Sequence, residues 1–133
     1  MNNYVTSIQS VLELKNSFAS YQNLPLWAGE ASSCYNGGAE NISDRYAASF
    51  LFTDMLGASA FYGLDKVLRQ QWFDGYWHNG SFSHYALLDV NMRPNPDYWL
   101  AFLYKKLVGQ QVYNVSTDST DPHLRLYAGS NVK

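Results

Sequence analysis

Apolar residues recur at Ile8, Val11, Leu12 and Phe18, the spacing of one face of a helix, and predict a helix over 6–19. Asn23-Leu24-Pro25 ends that pattern. Leu26-Trp27-Ala28 is then a short unbroken apolar run closing at Gly29-Glu30. Its length and continuity predict a strand buried on both faces, as in a parallel sheet. A loop of small residues follows over 31–41. Ser43 can cap a second helix, with Asp44 at its positive end. Ala47, Phe50, Leu51, Met55 and Leu56 give that helix an apolar face, and Gly57 is placed to stop it.

A second strand is predicted over 66–70, a polar loop over 74–83 and a short strand over 85–88. Pro94-Asn95-Pro96-Asp97 reads as a stop and then a start, with Asp97 as cap. The helix over 98–108 carries Trp99, Phe102, Leu103 and Leu107 and ends before Gly109. In the tail, 111–115 and 124–127 alternate apolar and polar across the turn-rich 116–122, the pattern of a hairpin.

Strands alternating with helices of this length imply an α/β fold built from βα units around a parallel sheet. A complete (β/α)8 barrel takes about 250 residues, so the 133 here hold two such units and cannot close one.

Composition sharpens this. Only 15% of residues are charged and 17% are aromatic, against about 25% charged in an average domain. Either some faces meet partners outside this segment, or the aromatics form a sugar-binding surface. A net charge of −2 with no basic run argues against nucleic acid as a partner. Cys34 is the one cysteine, expected to be a small buried residue, and His78, His84 and His123 have no ligand spacing, so neither a metal nor another cofactor is expected. No run reaches the roughly 18 apolar residues of a membrane span. The sequons at Asn41, Asn79 and Asn114 are glycosylation candidates.

The informative chemistry is Glu30, a carboxylate just past the end of a short strand. Reactive groups of parallel barrels come from that end, where a glutamate can serve as nucleophile, general base or metal ligand. It can equally be solvated or paired with an arginine, and position leaves both open. The Gly37-Gly38 pair can turn the chain or bring backbone N–H groups close to an anion. Arg69 reads as the partner of a buried carboxylate, and Trp72 and Phe73 as packing residues.

Several blocks taken together resemble the heparanase family of glycoside hydrolases, family 79, in order and spacing. They are Gly29-Glu30-Ala31-Ser32-Ser33-Cys34-Tyr35-Asn36-Gly37-Gly38-Ala39, Ser43-Asp44, Arg69-Gln70, Tyr85-Ala86-Leu87-Leu88-Asp89, Asn95-Pro96-Asp97-Tyr98-Trp99 and Lys105-Lys106-Leu107-Val108-Gly109. The resemblance runs from Ser7 to Val112 and implies a C-terminal part of a TIM (β/α)8 barrel over 1–109, with the first strands of a β-sandwich over 110–133. It implies that Glu30 is the catalytic nucleophile of a retaining endo-β-glucuronidase, at the end of the seventh barrel strand. It implies that Asn36 and Gly37 belong to a loop whose amides hold a uronic acid carboxylate, with Tyr85 and Gln70 in the same sugar-binding cleft. Asn36 stands where the family often has glycine; asparagine tolerates left-handed backbone, so its amide can still serve.

The family's acid/base glutamate follows an asparagine on the fourth strand, and this chain has no Asn-Glu pair. The segment is therefore expected to be inactive alone and to need the remainder of the barrel. By the same resemblance the substrate is a heparan sulfate-like polysaccharide, with secretion to the extracellular matrix or delivery to the lysosome, and a possible peripheral membrane or matrix association. A non-catalytic, glycosaminoglycan-binding relative is the second reading, and a self-standing aromatic sugar-binding domain the third.

Overall fold

The computed structural model describes residues 2–73, 75 and 82–130. Its elements run α1 (Asn2–Ser17), a 3-10 turn (Ala19–Tyr21), β1 (Trp27–Ala31), α2 (Tyr46–Phe61), β2 (Lys66–Arg69), α3 (Pro96–Leu107), β3 (Gln111–Tyr113) and β4 (Ala128–Ser130). β1 and β2 pair in parallel, Trp27 against Lys66 and Ala28 against Val67, with an irregular register before Ala31 meets Arg69. β3 and β4 form a separate antiparallel pair. The chain is thus α/β, and α2 connects the two parallel strands.

α2 is the centre of the core. Its sequence is apolar nearly all round, so periodicity alone does not choose a face. The buried stripe is Ala48, Phe52, Met55, Ala58 and Ser59, while Phe50 and Ala47 point to solvent. That corrects the face expected from Ala47, Phe50 and Leu51. α1 crosses the C-terminal half of α2, placing Ile8 in the core and a 2.7 Å hydrogen bond between the hydroxyls of Tyr4 and Ser59. Tyr85, Ala86 and Leu87 are also buried.

The helix ends differ from expectation in informative ways. Arg45 holds the N-cap position of α2 and makes no side-chain cap. Ser43 is committed elsewhere, since its hydroxyl accepts from Ala39 N–H at 2.9 Å and from the Ser33 hydroxyl at 2.7 Å. Gly57 does not end α2, which continues four residues further; the stop is made at Gly63, whose φ is 76°. Asp97 is not the cap of α3 but lies buried inside its first turn, after Asn95 at the cap position.

The strands are less enclosed than predicted. Trp27 is 49% exposed, and Gly29 and Glu30 are exposed too. A parallel strand is buried on both faces only when helices and neighbouring strands cover it, and here β1 has one paired neighbour among the described residues. The strand expected over 85–88 does not form: Leu87 is in a bend and Leu88 makes single bridges with Phe73 and with Pro94. In the tail the second strand falls at Ala128–Ser130, beyond the predicted 124–127. Leu126 and Tyr127 instead turn toward α2 and line the groove between it and the tail. Among the described residues no helix is long and apolar enough to cross a membrane.

Candidate active site

Glu30 sits within β1, next to its last residue, and not just past the strand as its sequence position suggested. The following turn is left-handed at three successive residues, with φ of 60°, 88° and 90° at Asn36, Gly37 and Gly38. Gly38 has a steric reason as well as a torsional one, because a β-carbon there would stand 2.8 Å from Ser43 Cβ and 3.1 Å from Tyr85 Cβ. Ser43 therefore pins the loop from behind by contact and by its bonds to Ser33 and Ala39.

A second segment closes on the same place. Gln70 follows β2, and its N–H donates to Ala31 O at 3.0 Å, so it stands beside the residue after Glu30. The Gln70–Gln71 peptide bond is cis. Gln71 then donates from its side chain to the Ser83 hydroxyl at 2.8 Å and accepts from Leu87 N–H at 3.0 Å. His84 N–H donates to Gly37 O at 2.6 Å, which brings Tyr85 against the glycine turn.

These contacts shape a cavity of about 450 Å3 lined by Glu30, Ser32, Ser33, Cys34, Tyr35, Asn36, Gln70 and Tyr85. Four of the five site residues expected from sequence share it, and Gly37 adjoins it through Asn36. Among the described residues Glu30 is the one carboxylate in its wall, and none of the ion pairs there engages it. Cys34 is exposed in this wall, correcting its expected burial, because the loop after β1 turns it to solvent. Grooves of similar size lie between α1, α2 and the tail and between α2, α3 and the tail, but no carboxylate among the described residues lines them.

Behind the cavity is a polar cluster that sequence reading only half anticipated. Arg69 does pair with a buried carboxylate, Asp97, at 2.8 Å. The Ser49 hydroxyl donates to the other oxygen of Asp97 at 2.7 Å. Arg69 also donates to Tyr85 O and lies over the Phe52 ring at 4.7 Å. Burial lowers the Arg69 pKa from its ordinary value, and the charge of Asp97 opposes that shift. The partner was hard to foresee because Asp97 looks like a helix cap in sequence.

The other expected positions separate. Trp72 packs edge-on against Tyr98 at 6.1 Å but is 61% exposed, so its packing is at the surface, and Phe73 is exposed as well. Asn41 is exposed, and its side-chain oxygen accepts from Arg45 at 2.9 Å. Asn114 is exposed in the extended tail. Asn79 lies outside the described residues, as do Trp77 and His78.

A short parallel sheet thus presents a carboxylate beside a left-handed glycine turn. This chain is heparanase-like. It is 43% identical over 116 residues to a hyaluronoglucuronidase of Hirudo nipponia, covering 86% of this chain and 22% of that protein. It is 38% identical over 128 residues to the heparanase of Rattus norvegicus, covering 96% of this chain and 22% of that one. It is also 38% identical over 109 residues to the inactive heparanase-2 of Homo sapiens, covering 81% and 17%. The chain thus spans about a fifth of the length of the curated relatives it matches. No family model matches it.

Proposed function

We propose that this chain forms one wall of the cleft of a retaining endo-β-glucuronidase acting on glycosaminoglycan, with Glu30 as nucleophile. In this reading residues 1–109 are the last two βα units of a (β/α)8 barrel and 110–133 begin a β-sandwich. The carrying observation is convergence. Glu30 from β1 and Asn36 from the loop after it share one cavity with Gln70 and Tyr85, from segments more than thirty residues away.

Glu30 attacks the anomeric carbon and forms a glycosyl ester. The partner acid, which protonates the departing oxygen, has to stand about 5–5.5 Å from it. That acid comes from outside the described residues, because no second carboxylate among them lines the cavity. The amides of Asn36 and Gly37 hold the uronic acid carboxylate, as a run of left-handed residues can turn successive N–H groups toward an anion. Gln70 and Tyr85 donate to the same sugar. The substrate class is a heparan sulfate-type polysaccharide, met after secretion or in the lysosome.

The test is a mechanism-based 2-fluoro-glucuronide offered to the complete protein, followed by peptide mass spectrometry. A stable adduct on Glu30, absent in Glu30→Gln, is expected; an adduct on another residue overturns the assignment. The 133 residues alone are expected to turn over no fluorogenic heparan mimic, and turnover above a Glu30→Gln control would show that no outside acid is needed. The second reading, a glycosaminoglycan binder without catalysis, is favoured by the likeness to inactive heparanase-2. It predicts saturable binding with no adduct.

A further inference from the structure

The cavity wall is held from behind by the cluster around Arg69, which is not part of the wall itself. Successive residues of an extended strand face opposite sides. Gln70 enters the cavity, while Arg69 turns to the helices, where it meets Asp97 of α3 and the Phe52 ring of α2. Its side chain is only 9% exposed. From there one Nη donates to the backbone carbonyl of Tyr85. Tyr85 in turn follows His84, whose N–H holds Gly37 O, and it lies within contact of position 38. One line of contacts therefore runs from a buried ion pair through Tyr85 to the glycine turn.

We propose that Arg69 is a positioning residue, fixing Tyr85 and through it the Gly37–Gly38 turn at the sugar subsite, with Asp97 and Ser49 setting the guanidinium's orientation. This rests on the reading of the cavity as a sugar site. The geometry suits the task. The same Nη2 donates to both Asp97 and Tyr85 O, so a planar guanidinium held at the carboxylate aims the second N–H of that nitrogen at the carbonyl. A carbonyl at Tyr85 is a backbone target, so the constraint acts on the chain's path and leaves the phenol free for substrate. Asp97 is itself held by Ser49, which leaves the pair little freedom to swing.

Arg69→Met alone would strand a buried carboxylate and unfold part of the molecule, because an unpaired buried charge is costly. The test therefore uses the pair-free Arg69→Met/Asp97→Asn variant, in which the amide oxygen introduced at position 97 still accepts from Ser49. Two measurements are made. In the complete protein, a glucuronide's KM is expected to rise about fivefold to tenfold with kcat within about twofold, the mark of lost uniform binding. Added to Tyr85→Ala, the same double substitution should change KM by less than about twofold, since coupled residues are not additive. A wild-type KM, or effects that simply multiply, overturns the proposal. In the 133-residue chain, amide exchange is expected to quicken at 36–38 and 84–86 while the β3–β4 pair is unchanged. Unaltered exchange at both loops also overturns it. A wild-type protein that turns over no glucuronide would sink the glucuronidase reading instead, and the exchange result would still decide whether Arg69 holds the wall.

Discussion

The ring of Tyr127 lies so closely on Gly57 that a β-carbon at position 57 would overlap its Cγ, Cδ2 and Cε2 atoms. A glycine in the middle of a helix costs about 1 kcal/mol relative to alanine, so this one is explained by what it admits. Tyr127 then reaches past it to donate to Asp54 at 2.8 Å, and Arg125 donates to the other oxygen of the same carboxylate at 3.0 Å. This clasp docks the tail on α2.

Gly57→Ala should therefore destabilise the chain despite its better helix propensity. Overpacking of this kind costs about 1–3 kcal/mol, which exceeds the propensity gain. Urea unfolding would show a lower midpoint, and in a Tyr127→Ala background the same substitution should cost much less. A midpoint above wild type would mean the ring moves aside freely.

Asp54→Leu removes the acceptor of both bonds while keeping the helix. Hydrogen bonds to a charged group are worth about 1.5–3 kcal/mol each, and Asp54 is nearly fully buried where they are made. The expected outcome is a lower melting temperature with faster proteolysis within 110–130. Cleavage confined to 31–45 would show that the clasp does not hold the tail.

The phenols add a pH dependence. Burial raises the Tyr104 pKa. Burial and then the bond to Asp54 raise that of Tyr127, against an opposing bond to Arg125. Each folded phenol keeps its proton to higher pH than the unfolded chain does. The contribution to stability is therefore whole below the ordinary value of 10.0 and declines as pH rises from there through the folded value. Stability measured on either side of that point should drop in the wild type and drop less in Tyr104→Phe.

Of the two described sequons, Asn114 is the expected carrier of glycan. It stands in exposed, extended chain, whereas the Asn41 sequon ends in Ser43, buried with its hydroxyl engaged. Expression through a secretory pathway should give a mass shift lost in Asn114→Gln and retained in Asn41→Gln. The reverse pattern would mean that modification precedes folding of the Ser43 loop.

The alternation of helices with short apolar runs was enough to determine an α/β chain and, within a residue or two, the strands at Trp27 and Lys66 and the helix after Pro96. Those features depend on local spacing and on breakers such as Pro25 and Pro96, which act whatever surrounds them. The glycine turn was legible for the same reason, since a left-handed backbone needs a small residue or an asparagine. What only the tertiary structure decided was partnership. Ser43 and Asp97 look like helix caps in sequence, yet distant groups recruit them: Ser43 for the loop behind the cavity, Asp97 for Arg69. Gly57 looks like a stop and is a seat for Tyr127. α2 is apolar on every side, so its buried face was settled by which neighbours arrived. A side chain's intrinsic preference is worth a few tenths to about one kcal/mol, while a buried ion pair or a steric overlap carries several times that, and where the two compete the long-range contact wins.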